Sequence, residues 1–271
     1  MTIPWRLIKH PPAQGAWNMA VDEAILEAVG VGDSPPTLRL YAWDPPCLSL
    51  GVAQPFTDVN ISALRVRGWE VVRRPTGGRA ILHTDELTYA LIAAQDNPLT
   101  CGSILESYRR ISLALLQGII RLGLDARADR EYEQNDGSSP KPVCFESPSN
   151  YEITVCGKKL VGSAQARRYG GVLQHGSLPL TGDLTRILLT LNDVADPAGK
   201  DAVRLLERAA TVEQLRGSLP TWEEAAAAWQ AGFEQVHNIC FTPGHLTPAE
   251  QARTRQLFSE KYNHPSWTER L

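Results

Sequence analysis

The sequence predicts an α+β protein with a mixed β-sheet core flanked by helices. Three observations lead there. Short apolar runs bounded by Gly and Pro crowd residues 37–93 and 151–180. A strongly amphipathic pattern covers residues 104–122 between them. The last ninety or so residues read mostly as helix. Strands gathered ahead of helices, without strict strand–helix alternation, point to α+β layering.

Taken in order, residues 17–29 place Trp17, Val21, Ala24, Ile25 and Ala28 on one helical face, with Asn18 or Gln14 available to cap the start. Residues 37–43 alternate like a half-buried strand and are ended by Pro45-Pro46. Residues 47–50 form a second strand closed by Gly51, and residues 69–74 a third that runs into a Gly-rich turn. Residues 80–82 and 87–93 read as further strands. In 104–122, Ile104, Leu105, Tyr108, Ile111, Leu115, Ile119 and Leu122 recur at three- and four-residue steps, and Gly123 stops the helix. The polar run 135–140 reads as a loop. Residues 151–155 and 159–166 follow as a hairpin with Gly157 in its turn, and 172–180 as a third arm after Gly170-Gly171. Helices are expected over 201–210, 221–233 and 247–262, where Thr221-x-x-Glu224 and Thr247-x-x-Glu250 match the capping box. The expected organisation is one catalytic domain over 1–271 with a mostly helical C-terminal flank from about 183.

Composition narrows the function. The chain has 271 residues, 43% hydrophobic and 21% charged, enough apolar material to exclude disorder and to enclose a pocket. Lys plus Arg number 27 against 30 Asp plus Glu, a net charge of −3, which excludes a general nucleic-acid binder. The five cysteines, Cys47, Cys101, Cys144, Cys156 and Cys240, are odd in number and widely spaced, with no CxxC pair. Neither a zinc knuckle nor a disulfide framework fits. No signal-peptide pattern opens the chain and no run approaches the roughly 18 apolar residues of a membrane span. The expectation is a cytoplasmic protein with reduced thiols, without membrane partners.

Four segments carry chemistry. In Arg73-Arg74-Pro75-Thr76-Gly77-Gly78-Arg79, adjacent glycines permit positive φ or close backbone approach, and arginines on both sides suit a carboxylate, a phosphate or an acidic partner. Cys144 stands at a loop–sheet boundary, where a nearby cation would make its thiol reactive. In Gly157-Lys158-Lys159-Leu160-Val161-Gly162-Ser163-Ala164, small residues inside a strand leave room for a ligand, and a lysine facing a pocket is costly unless paired or used. His175 sits beside Gly176. Taken singly, each has an ordinary reading: a tight turn, a small buried thiol, a solvated hairpin lysine, a satisfied core histidine.

Together, RRPTGGRAILH, CFESPSNYE, GKKLVGSAQARR and LQHGSL resemble, in order and spacing over residues 70 to 180, the lipoate–protein ligase and octanoyltransferase family. The likeness is greatest to its cysteine-dependent octanoyltransferase branch, the LipM type, and continues more weakly from about residue 5 to the C-terminus. The resemblance implies a fold related to the biotin-ligase catalytic domain. It implies transfer of an octanoyl group from acyl carrier protein to a lysine of a lipoyl-domain protein, such as glycine cleavage H protein or a 2-oxoacid dehydrogenase subunit, in lipoate biosynthesis. The family's nucleophile falls on Cys144 and its catalytic lysine on Lys159. Arg74, Gly77, Gly78 and His83, with Gly162, Ser163, Ala164 and His175, fall at the acyl and carbonyl end of its pocket. Where many members have His-Asp, this chain has His83-Thr84-Asp85-Glu86, so Asp85 receives no role. No cofactor or metal is required on this reading. The alternatives are an ATP- and magnesium-dependent ligase of the same fold, an amidotransferase between two lipoyl-domain proteins, and an acyl-binding module without catalysis. An apolar tunnel is expected between the sheet and helix 104–122. His83, His175 and neutral Lys159 are each candidate bases for the acceptor lysine. A basic face is expected from Arg65, Arg67, Arg73, Arg74, Arg79, Lys158, Lys159, Arg167 and Arg168.

Overall fold

A computed structural model describes residues 4–129 and 152–271. Its core is an eight-stranded mixed sheet in the order β11-β1-β2-β6-β10-β9-β8-β7. The strands are β1 (Pro4–Lys9), β2 (Thr37–Tyr41), β6 (Glu86–Ala94), β7 (Ala126–Asp129), β8 (Glu152–Val155), β9 (Lys158–Arg168), β10 (Gly171–Pro179) and β11 (Cys240–Pro243). The pairs β11–β1 and β1–β2 are parallel, and every pairing from β2 to β7 is antiparallel. A second, three-stranded sheet has β3 (Cys47–Leu50) between β4 (Glu70–Arg73) and β5 (Ile81–His83).

Both faces of the large sheet are covered, and β6 shows why its run is apolar throughout. Leu87, Tyr89, Leu91 and Ala93 enter a core with α3 (Ile104–Arg121) and α6 (Trp222–His237). Ala90 and Ile92, one step out of phase, pack with α1 (Gly15–Gly30). The amphipathic run at 104–122 is α3, and its start carries a capping box, Ser103 with Glu106. The small sheet turns Leu48 and Leu50 toward α2 (Ile61–Arg67) and α4 (Lys200–Arg208), which directs Ser49 to the opposite side. The hairpin of β8 and β9 turns at Cys156 and Gly157, both at positive φ (51° and 75°), the geometry of a tight two-residue loop.

From 183 onward the chain forms α4, α5 (Val212–Arg216), α6, α7 (Pro248–Leu257) and α8 (Pro265–Thr268), with both expected capping boxes in place. The reading of 247–262 as one helix needs adjustment, because α7 passes into a π turn at Phe258–Tyr262. This region also supplies β11, which adds a parallel edge to β1. Neither strand has a run apolar and alternating enough to stand out alone; each is defined by its neighbour. Helix α1 departs from the one-faced reading. Asn18, Asp22 and Glu23 are as buried as Val21 and Ile25, because Arg39 and Tyr41 of β2 and His175 of β10 meet Asn18 and Asp22 on the sheet side, while Lys261 and Tyr262 after α7 close over Glu23. Neither proposed cap acts as one: Gln14 makes no side-chain cap bond, and the Asn18 amide donates to the carbonyls of Ala13 and Ala42 instead. Among the described residues no helix is long and apolar enough to cross a membrane.

Candidate active site

Where β9, β10 and β6 face the small sheet, above Met19 of α1, the structure leaves a cavity of about 350 Å³. Its walls are Tyr41, Trp43, Ser49, Arg74, Ile81, His83, Thr88, Gly162, Ser163, Ala164, His175 and Gly176. Six residues expected from the sequence, Arg74, His83, Gly162, Ser163, Ala164 and His175, therefore meet around one space although they come from three different motif segments. Gly162 and Ala164 supply the low wall that a ligand needs. The Ser163 hydroxyl instead bonds Tyr89 (2.8 Å), which packs edge-on against Trp229 of α6. The expectation of a tunnel beside helix 104–122 is corrected here: the cavity opens on the α1 face of the sheet, and α3 packs on the other.

Gly77 and Gly78 do not line the cavity; they build the loop beside it. Gly78 takes φ +89°, and its carbonyl lies 1.9 Å from where a Cβ on Gly51 would stand. The Arg74 guanidinium donates to the carbonyls of Gly77 (2.8 Å), Arg79 (2.7 Å) and Ser49 (2.9 Å), so it holds this loop to β3. Gly51→Ala is expected to displace the loop and lower turnover about 100-fold, the order of cost of a 1 Å misplacement near reacting atoms, with the circular dichroism spectrum unchanged.

Two buried histidines stand on opposite sides of the cavity. The His175 Nε2 is 2.7 Å from the Thr76 hydroxyl and its Nδ1 is 3.3 Å from Asp22. Asp22 is fully buried, receives Arg39 at 2.6 Å and accepts from the Tyr41 hydroxyl at 2.9 Å. Burial raises the Asp22 carboxyl, but the Arg39 charge and the His175 hydrogen bond outweigh it and hold it below the ordinary range. Burial lowers His175 against the opposing pull of Asp22. His83 stacks on Trp43 at 3.9 Å and 8°. Its Nε2 is 2.8 Å from Ser49 Oγ and its Nδ1 is 2.7 Å from Glu86.

Lys159 is buried (4% exposed) three residues before Gly162 in β9, at the register shift against β8. It is on the cavity's strand but not on its walls. Cys144 lies outside the described residues. The expected basic face does not form from these nine side chains. Arg73, Arg74 and Lys159 are buried, Lys158 Nζ donates to the Leu206 carbonyl, and Arg167 donates to those of Thr100 and Gly102. Asp85 pairs with Arg186 at 2.5 Å, away from the cavity walls. Among the described residues no group of His, Cys, Asp and Glu could hold a metal ion.

Sequence reasoning did not find Ser49, Trp43, Thr88, Glu86, Asp22 or Thr76. The one available signal was Ser49, a lone hydroxyl inside the apolar strand Cys47-Leu48-Ser49-Leu50.

Residues 14–234 match the model of the lipoyl protein ligase A/B catalytic domain. The chain belongs to that family. Within it, the chain is 42% identical to a protein of Kyrpidia tusciae named Octanoyltransferase LipM, over 98% of both chains. It is 39% identical to one of the same name from Symbiobacterium thermophilum, over the full length of both. Among solved structures, a bi-partite lipoate protein ligase from Thermoplasma acidophilum superimposes with a TM-score of 0.82 at 26% identity, over 98% of this chain and 96% of that one. A lipoate-protein ligase A bound with ATP superimposes at 0.79 and 27%, over 99% of each.

Proposed function

We propose that this chain is an octanoyltransferase of lipoate biosynthesis that moves an octanoyl group from acyl carrier protein to a lysine of a lipoyl-domain protein through a thioester on Cys144. The full-length similarity to octanoyltransferases carries this reading, and the cavity supports it. Thiol–thioester exchange is nearly neutral in energy, so the first transfer needs no ATP, and amide formation drives the second. The Cys144 thiolate attacks the octanoyl carbonyl and releases the carrier thiol. The Lys159 ammonium stabilises the developing oxyanion. About six methylenes, at ~0.8 kcal/mol each, offer on the order of 5 kcal/mol before ordering costs. Apolar atoms of Met19, Ile81 and Trp43 are placed to receive them. The acceptors are lipoyl-domain proteins such as glycine cleavage H protein or 2-oxoacid dehydrogenase subunits.

The test sets two donors side by side. Octanoyl-acyl carrier protein without ATP is expected to octanoylate an apo lipoyl domain, read by intact mass, while octanoate with ATP and magnesium leaves it unmodified. The reverse pattern would make the protein a ligase, and no modification in either arm would leave an acyl-binding module.

A further inference from the structure

The acceptor lysine must lose a proton before it can attack, and the hydrogen-bond directions around the cavity identify where that proton goes. Arginine only donates, so Ser49 Oγ accepts from Arg74 Nη1 (3.1 Å). A neutral His83 that donates its Nδ1–H to the Glu86 carboxylate (2.7 Å) presents a bare Nε2, which accepts the Ser49 hydroxyl proton (2.8 Å). The outcome is one ordered series running from Ser49 on the cavity wall through His83 to a buried carboxylate. Thr88 also donates to Glu86 and in turn accepts from the Trp43 indole N–H (2.7 Å). Trp43 lies flat on the His83 ring, where its π face favours a cationic imidazolium.

The second histidine is arranged differently. His175 ends on Thr76, which is not on the cavity wall, and its carboxylate, Asp22, already faces the Arg39 charge. Among the described residues no arginine or lysine pairs with Glu86, so its full charge is available to a protonated His83. Two imidazoles of similar burial are thus divided: one is a fixed support, the other can take up a proton. Among the described residues, the titratable and charged groups around His83 are Glu86 of β6, Arg74 after β4, His175 of β10 and Cys47, its cross-strand partner on β3.

We propose that Ser49 and His83 are the catalytic proton acceptor for the acceptor lysine, with Glu86 as their positioning residue. The proposal rests on the acyl-transfer reading above. A proton leaves the lysine ammonium for Ser49 Oγ as the Ser49 proton passes to His83 Nε2. The free amine adds to the thioester carbonyl. As the C–S bond breaks, the sulfur takes the amine's second proton, and the amide leaves with one N–H. The imidazolium then returns its proton to water.

Single-turnover kinetics separate the two half-reactions, with octanoylation of the enzyme and its transfer to an apo lipoyl domain both read by mass spectrometry. With Ser49→Ala, transfer at pH 7 is expected to fall about 100-fold, the usual worth of a general base, and to fall at least about tenfold further than enzyme acylation does. Glu86→Gln, nearly isosteric, is expected to lower transfer about tenfold. Both deficits should shrink toward pH 10, where a lysine amine of pKa about 10.4 begins to lose its proton to bulk water. Parallel loss of both half-reactions, a deficit equal at pH 7 and pH 10, or undiminished transfer would overturn the proposal. Absence of any octanoyl adduct on the unsubstituted protein would instead remove the reading beneath it.

Discussion

Cys144→Ala is expected to eliminate both the octanoyl adduct and transfer to the lipoyl domain, a loss of at least about 1,000-fold. Removing a nucleophile removes the intermediate itself, so the loss exceeds what any positioning residue would cause. Incubation with octanoyl-acyl carrier protein, followed by intact-mass measurement of both enzyme and acceptor, reads the two steps separately. A variant that still octanoylates the acceptor with octanoyl-acyl carrier protein would place the nucleophile elsewhere. Cys47 is a poor replacement, because burial, followed by the charges of Glu70 and Glu86, pushes its thiol pKa well up.

The second large effect is on stability. Asp22→Asn leaves Arg39 with both partners at 0% side-chain exposure and no countercharge at 2.6 Å. Breaking a buried pair in this way costs about 3–5 kcal/mol. At roughly 2–4 °C per kcal/mol for a chain near this size, Tm should fall by about 10 °C, measured by thermal unfolding at pH 7. The pH dependence follows from the sign of the shift. The Asp22 carboxyl is held below its unfolded value, so its contribution is complete above about pH 3.9 and disappears as pH falls through the folded value. The gap between the two proteins should therefore narrow in acid. His10, pushed down to about 4 by burial and by the Arg39 charge, acts in the same direction at higher pH. Between about 6.5 and 4 the unfolded chain binds a proton that the folded one refuses, so both proteins lose stability there. A gap that stays constant down to pH 3 would mean that Asp22 owes its contribution to shape and not to charge.

The regular elements were legible wherever a local pattern sufficed. A period-two run marked β2, apolar runs bounded by Gly or Pro marked β3, β6 and β10, three- and four-residue spacing marked α3, and Thr–Glu pairs marked the starts of α6 and α7. Strands β1 and β11 escaped because a parallel edge strand is made by its neighbour. The site was half legible. The motif segments contained Arg74, His83, Gly162 and His175, but nothing in them indicated that Arg74 would serve its own loop. Nothing local marks Asp22 and Glu23 on α1 as buried, since a carboxylate in an amphipathic helix normally faces solvent. Here Arg39 reaches Asp22, while Lys261 and Tyr262 reach Glu23, from 17, 238 and 239 residues away.

By itself the sequence determined the layer architecture, the main strands and helices, and which short segments carry chemistry, because those depend on spacing between near neighbours along the chain. Tertiary structure alone decided which face of the sheet holds the cavity, which buried charges neutralise one another, and that Ser49 meets His83. Those are distances between residues far apart in sequence, and no local periodicity encodes a distance.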